Sequence, residues 1–538
     1  MEKRFLITGC IALLFWAVCF GDNAPLANEK KDGLYVKSIE QVLRLEPEQI
    51  DIGTAALIVS EQWSDMVPGR KYQDTLDEMA IEVRSRLKDK KLKTNYQAIP
   101  VINEYLFDEL SFTSVEKADD PNDLFLHHVI DNKKGYCLSL SILYLAIGER
   151  LGLPLYGVVV PGHFFVRYDD GTVRFNIETT SKGGSASDEH YINKFKVPKD
   201  TENSVYLKNL TPQQSLGCFF NNLGNSYQTI GNNKQAQAAL ERAVEINPSL
   251  SESRINLGNI YLQAGRIDEA IGQYKQALRY NPVDGSAHNN LGNAYLKKGL
   301  TNDAISQYTQ TLKIDPNFIE AYKNLAIAYC QNKIFPMAVE QMKRALILEP
   351  KNAALYQQLA DIYREKQDYN QAIKDYKTAL GYNKQLAESY YGIALCCKAL
   401  GRPDDEIAGY KMALQIQPNM LAAINDLGNA YFSSKKYDQA IEQYKLAAQI
   451  KPDEALIYYN IGAAFSNKNE YAQAIEAYLK AIAIKPDAGD AHYGLAYCYY
   501  NQQQYQLSLK HLKTARQLGV KIDENLLKSL EENLKRDK

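Results

Sequence analysis

From residue 217 to residue 522, apolar positions recur with helical spacing in a pattern that repeats every 34 residues. Prolines at 248, 282, 316, 350, 418, 452 and 486 mark the period, and Lys384 fills the one missing slot. With each proline at position 32, nine units fit, from Gly217 to Ile522. Position 8 is then always Gly or Ala, and position 20 is Ala except for Glu406 and Ser508. Position 11 is Tyr in seven units, with Cys397 and Phe465 in the others. Position 24 adds Tyr274, Tyr308, Tyr376, Tyr410, Tyr444 and Tyr478. Small residues at two places and rings at two others predict a pair of closely approaching helices per unit, each pair ended by proline. One pair cannot bury its apolar faces alone, so the pattern predicts a stacked array. The charged 523–538 segment reads as its closing helix. Lys384 and Glu406 make the junction of the fifth and sixth units its weakest place.

Residues 37–200 contain no echo of that period. Helical patterns run up to Arg150, and a β-rich stretch follows. Leu155 to Tyr168 is dense in β-branched and aromatic residues and reads as strand. Asp169-Asp170-Gly171 predicts a hairpin turn, and Thr172 to Thr180 a return strand. Ahead of the strands, Gly135-Tyr136-Cys137-Leu138-Ser139 leads into an apolar helix. Cys137 therefore stands at a helix N-terminus, where the macrodipole favours negative charge. His163, and then Asn176 and Glu178, follow on the hairpin. A nucleophile, a base and an orienting group are the parts of a thiol acyl-transfer site.

Both segments resemble known families. The 34-residue helix-turn-helix period is similar to the tetratricopeptide repeat (TPR). Asp120-Pro121-Asn122, Lys134-Gly135-Tyr136-Cys137, Arg150 to Gly157 and Pro161-Gly162-His163-Phe164 resemble the transglutaminase-like superfamily in its bacterial SirB-type branch. The implied fold class is mainly α: an α-solenoid of nine TPR units preceded by an α+β, papain-like domain. The resemblance implies Cys137 as nucleophile and His163 as general base and acid. Glu178 falls where the family usually carries Asp, fifteen residues after the histidine, and Asn176 is a rival for the orienting role. Members of that branch often lack the cysteine, so a purely binding role for the domain stands beside the enzymatic one.

First helices of TPR units line a concave face, and here they carry a ladder of asparagines: Asn222, Asn225, Asn256, Asn259, Asn290, Asn293 and Asn324. An amide both donates and accepts, which suits an extended peptide backbone whatever its side chains. The expected partners are therefore proteins or peptides. The same amides could instead solvate the helices or bond one another between units.

The N-terminus predicts export. Lys3 and Arg4 precede an apolar run of sixteen residues, Phe5 to Phe20, short for a membrane span and suited to a signal peptide over 1–21. Kept uncleaved it would be a membrane anchor, and Ile7-Thr8-Gly9-Cys10 also resembles a lipobox. Each version puts the bulk of the chain outside the cytoplasm, in the periplasm or cell envelope of a bacterium. Net charge is −2 with both signs interspersed, which argues against a nucleic-acid partner. Cysteines outside the leader are sparse, with no CxxC pair or Cys/His cluster, so neither a metal nor another cofactor is expected.

Overall fold

The computed structural model describes residues 36–64, 67–197 and 204–536. The leader expected over 1–21 lies outside them. The chain is mainly helical and divides into two compact units, up to Ile314 and from Asp315 onward.

The first unit opens with α1 (Ile39–Val42), α2 (Ile52–Trp63), α3 (Gly69–Asp89) and α4 (Ala98–Asn103). A two-residue strand β1 (Thr113–Ser114) pairs in parallel with β2 (Lys134–Gly135) across α5 (Leu126–Asn132). Next comes α6 (Cys137–Arg150), apolar nearly all round, with every residue buried except Glu149. A helix without a polar face must be covered on all sides. Helices α2 and α3 cover it on one side, and an antiparallel sheet of β3 (Leu155–Val160), β4 (His163–Asp169) and β5 (Arg174–Ile177) covers another.

Two departures from the sequence reading reshape this sheet. Leu155 to Tyr168 is two strands, because Pro161-Gly162 turns the chain, with Gly162 at φ +72°, and sets Val160 opposite His163. The return strand is shorter than Thr172 to Thr180: it stops at Ile177, where Glu178 accepts the Thr180 backbone N–H and starts a tight 3-10 turn over Thr179–Ser181. Helix α7 (Asp188–Phe195) follows, with Ser187 as its N-cap.

The same compact unit continues through three helix pairs: α8 (Pro212–Thr229) with α9 (Asn233–Ile246), α10 (Ser251–Gln263) with α11 (Ile267–Tyr280), and α12 (Gly285–Lys297) with α13 (Thr301–Ile314). Helix α8 packs on α2, β3 and α6. The Phe220 ring meets Trp63 edge-on at 5.8 Å, and the Tyr227 hydroxyl donates to the Trp63 carbonyl at 3.2 Å. The second unit holds six further pairs, from α14 (Ile319–Gln331) to α25 (Tyr505–Gln517), and the closing helix α26 (Glu524–Arg536).

Inside the pairs, the periodic residues explain one another. The position-24 tyrosine lies flat on the position-8 glycine: a Cβ at Gly258 would stand 2.6 Å from Tyr274, and one at Gly292 2.5 Å from Tyr308. The same close approach joins Gly428 to Tyr444 and Gly462 to Tyr478. Each of these hydroxyls is carried into the interior and needs an acceptor. Position 9 supplies it: Tyr274 donates to Asn259 at 2.7 Å, Tyr308 to Asn293 at 2.8 Å, Tyr376 to Asp361 at 2.5 Å and Tyr444 to Asn429 at 2.8 Å. The eighth unit, with Ala463 at position 9, departs from the rule, and the sixth unit breaks it in the interior. Leu395 occupies position 9, and the buried Tyr410 hydroxyl has no partner among the described residues. Glu406 is buried in the same unit, and desolvation raises its pKa. Its helices, α18 (Ala387–Ala399) and α19 (Pro403–Ile416), are nonetheless regular.

The rule predicts opposite signs for one substitution at two places. Tyr308→Phe should cost about 1 kcal/mol by orphaning Asn293, whereas Tyr410→Phe should be neutral or stabilising. Hydrogen exchange of the flanking helices in the full chain reads both. A loss at Tyr410 equal to that at Tyr308 would refute the pairing.

Candidate functional site

The N-terminus of α6 is fixed before its chemistry is considered. The Tyr136 backbone N–H donates to Ser139 Oγ at 2.8 Å, and the Ser139 hydroxyl donates to the Asp123 carbonyl at 2.7 Å. Thr179 reaches the same helix from the turn after β5, with its hydroxyl 3.0 Å from Ser141 Oγ. These bonds set Cys137 opposite the first residue of β4, His163. One ring nitrogen, Nε2, lies 2.7 Å from Glu178 Oε2, and the neighbouring Cys137 thiol also acts on the ring, raising its pKa. The pKa of the adjacent Tyr136 is pushed up, by burial first and then by Cys137.

Glu178 is held from three sides. Its Oε1 accepts from the Thr180 N–H at 3.1 Å and the Thr180 hydroxyl at 2.6 Å, while Oε2 also accepts from the Tyr191 hydroxyl at 3.0 Å. Tyr191 is buried on α7 and stacks on Phe165 at 3.9 Å, and Phe195, one turn on, lies parallel to the His163 ring at 4.8 Å. Burial alone would depress the His163 pKa, but the Cys137 and Glu178 hydrogen bonds and charges outweigh it and raise it to about 9. Burial likewise opposes ionisation of Glu178, yet His163 and Thr180 hold it at about 2. The pair is thus an imidazolium beside a carboxylate over most of the pH range.

Asn176, the rival for the orienting role, does other work. It accepts from Arg167 Nε at 2.7 Å, donates to Asp188 Oδ1 at 2.7 Å and donates to the Ala186 carbonyl at 3.0 Å. Arg167 lies four residues from His163 along β4, and the register pairs Asn176 with it. Arg167, Asn176 and Asp188 together anchor α7, the helix that delivers Tyr191 and Phe195.

The thiol opens into a cavity of about 500 Å³. Tyr136, Cys137 and His163 line one side, and Asn222, Asn225 and Asn256 from the first two repeat units line the other. The remaining ladder residues are elsewhere. Asn259 accepts from both Tyr274 and the Asn290 amide, the latter at 3.1 Å, and Asn293 accepts from Tyr308. Asn324 belongs to the second compact unit. Sequence reasoning missed Tyr136, Thr180, Tyr191 and Phe195. Nothing in their spacing sets them apart from other aromatic and hydroxyl side chains.

A cysteine at a helix N-terminus stands beside a histidine that a carboxylate holds, on a sheet packed against that helix, which is the arrangement of a candidate thiol site. Here it stands ahead of stacked helical hairpins. Residues 70–216 match the sequence profile of the transglutaminase-like superfamily. Tetratricopeptide profiles match 221–274, 258–299, 285–318, 360–401, 428–469 and 465–503. The chain therefore joins a transglutaminase-like core to a tetratricopeptide array. Among curated relatives, a UPF0162 protein of Xylella fastidiosa (strain 9a5c) is 27% identical over 213 residues, covering 38% of this chain and 73% of that protein. A second, from strain Temecula1, is 33% identical over 124 residues, 22% of this chain and 43% of that protein. F-box only protein 21 of Mus musculus is 36% identical over 77 residues, 14% of this chain and 12% of that protein. Of solved structures, pilF of Pseudomonas aeruginosa aligns over 38% of this chain and 94% of its own at 20% identity and TM-score 0.34. YrrB, described as "a TPR protein with an unusual peptide-binding site", aligns over 35% and 96% at 17% identity and TM-score 0.30.

The two shifts fix a pH window. His163, raised from 6.5 to about 9, gives stability that is whole below 6.5 and lost as pH rises through 9. Glu178, lowered from 4.5 to about 2, gives stability that is whole above 4.5 and lost as pH falls through 2. Glu178→Gln should therefore move the His163 titration, followed by NMR of the imidazole, down from about 9 toward 6.5. An unmoved midpoint would remove Glu178 from the orienting role.

Proposed function

We propose that this protein is an exported scaffold that binds polypeptide, and that Cys137, His163 and Glu178 form a thiol amide-hydrolase or acyl-transfer centre within it. The observation that supports the reading best is that Cys137 and His163 line one cavity while Glu178 holds the His163 ring at 2.7 Å. The His163 imidazolium carries the thiol proton as the sulfur attacks an amide carbonyl carbon. The Cys137 N–H, first in its helix and without an intrahelical acceptor, faces the developing oxyanion. The imidazolium returns the proton to the departing amine, leaving a thioester on Cys137. Water or a second amine, deprotonated by His163, then attacks the thioester. The tetrahedral adduct collapses, the acid or new amide leaves, and the thiol is restored. Glu178 keeps the imidazole oriented throughout and stabilises its charge. These roles call for no metal or organic cofactor.

The alternative, a binding protein with a silent thiol, draws support from the burial of Cys137, which is 4% exposed. Alkylation separates the two readings. With iodoacetamide at pH 6, Cys137 should react at least about tenfold faster than in His163→Ala, well below the free-thiol pKa of about 8.5. The other described cysteines are internal controls, since burial pushes Cys330, Cys396 and Cys498 up to about 11. Peptide mapping by mass spectrometry assigns the label. A Cys137 rate no greater than that of these controls favours the binding protein.

Export rests on the Lys3, Arg4 and Phe5 to Phe20 pattern. N-terminal sequencing of protein recovered from the envelope fraction of a bacterial host should begin after Gly21. Recovery of the chain in the cytosol with Met1 intact would count against it.

A further inference from the structure

We propose that the first repeat units are the substrate-selecting wall of the Cys137 site, with Asn222, Asn225 and Asn256 holding the main chain of an extended polypeptide whose reacting carbonyl lies at the sulfur. This rests on the thiol-centre reading above and adds to it which part of the molecule chooses the substrate.

The wall is built into the core. Leu210 forms a β-bridge with Gly157 of β3, and the Ser226 hydroxyl donates to the Ala118 carbonyl. The Tyr206 hydroxyl, from the segment leading into α8, donates to Glu252 of α10 at 2.5 Å. With the Trp63 contacts of Phe220 and Tyr227, these bonds fasten α8 and α10 to the thiol-bearing elements. The cavity is consequently one space with two walls, about 500 Å³ in volume, enough for a few residues of extended chain.

The division of labour among the asparagines points the same way. Asn259 and Asn293, away from the thiol, spend their carbonyl oxygens on the position-24 tyrosines. Those lining the cavity keep bonding capacity. Asn225 makes no side-chain bond among the described residues. Asn256 donates to Asn221 at 3.0 Å, and its own Oδ1 accepts nothing among the described residues. Asn222 donates only to the Cys218 carbonyl one turn back, at 3.0 Å. A peptide backbone presents N–H and C=O alternately, and a side-chain amide answers both irrespective of sequence. The residues that would hold the substrate main chain thus lie on α8 and α10, outside the 37–200 segment that carries the chemistry.

The test compares two alkylating probes on Cys137 in the full chain: acetyl-Ala-Ala-Ala chloromethyl ketone, which presents a peptide backbone, and iodoacetamide, which does not. The ratio of their rates should fall about tenfold in the Asn225→Ala/Asn256→Ala variant, the scale of one or two lost hydrogen bonds. Asn225→Trp, which fills the cavity from the same helix, should lower the ratio as well, with thermal melts confirming that both variants fold. Ratios within twofold of the parent chain in both variants would overturn the wall while leaving the thiol centre standing. A slow iodoacetamide reaction in the parent chain would overturn the thiol centre, and this proposal with it.

Discussion

The first compact unit is organised by a single requirement, the burial of α6 on every side. A fourteen-residue helix with one residue outside the interior cannot be placed at a surface, so other elements must wrap it. Helices α2 and α3 close one side, the three-stranded sheet another, and α8 of the first repeat unit a third. What remains open is its N-terminus, where a helix presents N–H groups that nothing within it can satisfy. That opening is the cavity, and Cys137 lies at its edge. The chemistry sits where the packing problem has no apolar solution.

Around that opening the polar groups form a hierarchy. Glu178 caps a turn, receives Thr180 and Tyr191, and on that footing holds His163. Tyr191 in turn depends on α7, which Arg167, Asn176 and Asp188 tie to the sheet. Burial would by itself disfavour both charges of the His163–Glu178 pair. The pair is ionised because each charge has hydrogen-bond partners in place beforehand.

The repeats follow a different economy. Close approach of two helices requires a position without a side chain, and the tyrosine that fills the space brings a hydroxyl that must be satisfied indoors. Gly at position 8, Tyr at position 24 and Asn or Asp at position 9 are therefore one device rather than three separate preferences. The sixth unit keeps the ring and lacks the acceptor, and with buried Glu406 it concentrates unsatisfied polarity at the place where the period itself falters.

The sequence alone determined whatever repeats or stays local. The 34-residue register, the pair of helices per unit, the apolar helix starting at Cys137 and the hairpin carrying His163 all follow from periodicity and turn chemistry within a few dozen residues. Tertiary structure decided everything that depends on which distant groups meet. Glu178, not Asn176, faces His163, because Asn176 lies opposite Arg167 in the strand register and is taken by it. Asn259 and Asn293 serve as hydroxyl acceptors while Asn222, Asn225 and Asn256 line the thiol cavity, although Asn225 occupies the same position in its unit as Asn259 and Asn293. An amide is equally able to bind a ligand or a neighbour, and only the place of its helix in the packed molecule selects between them.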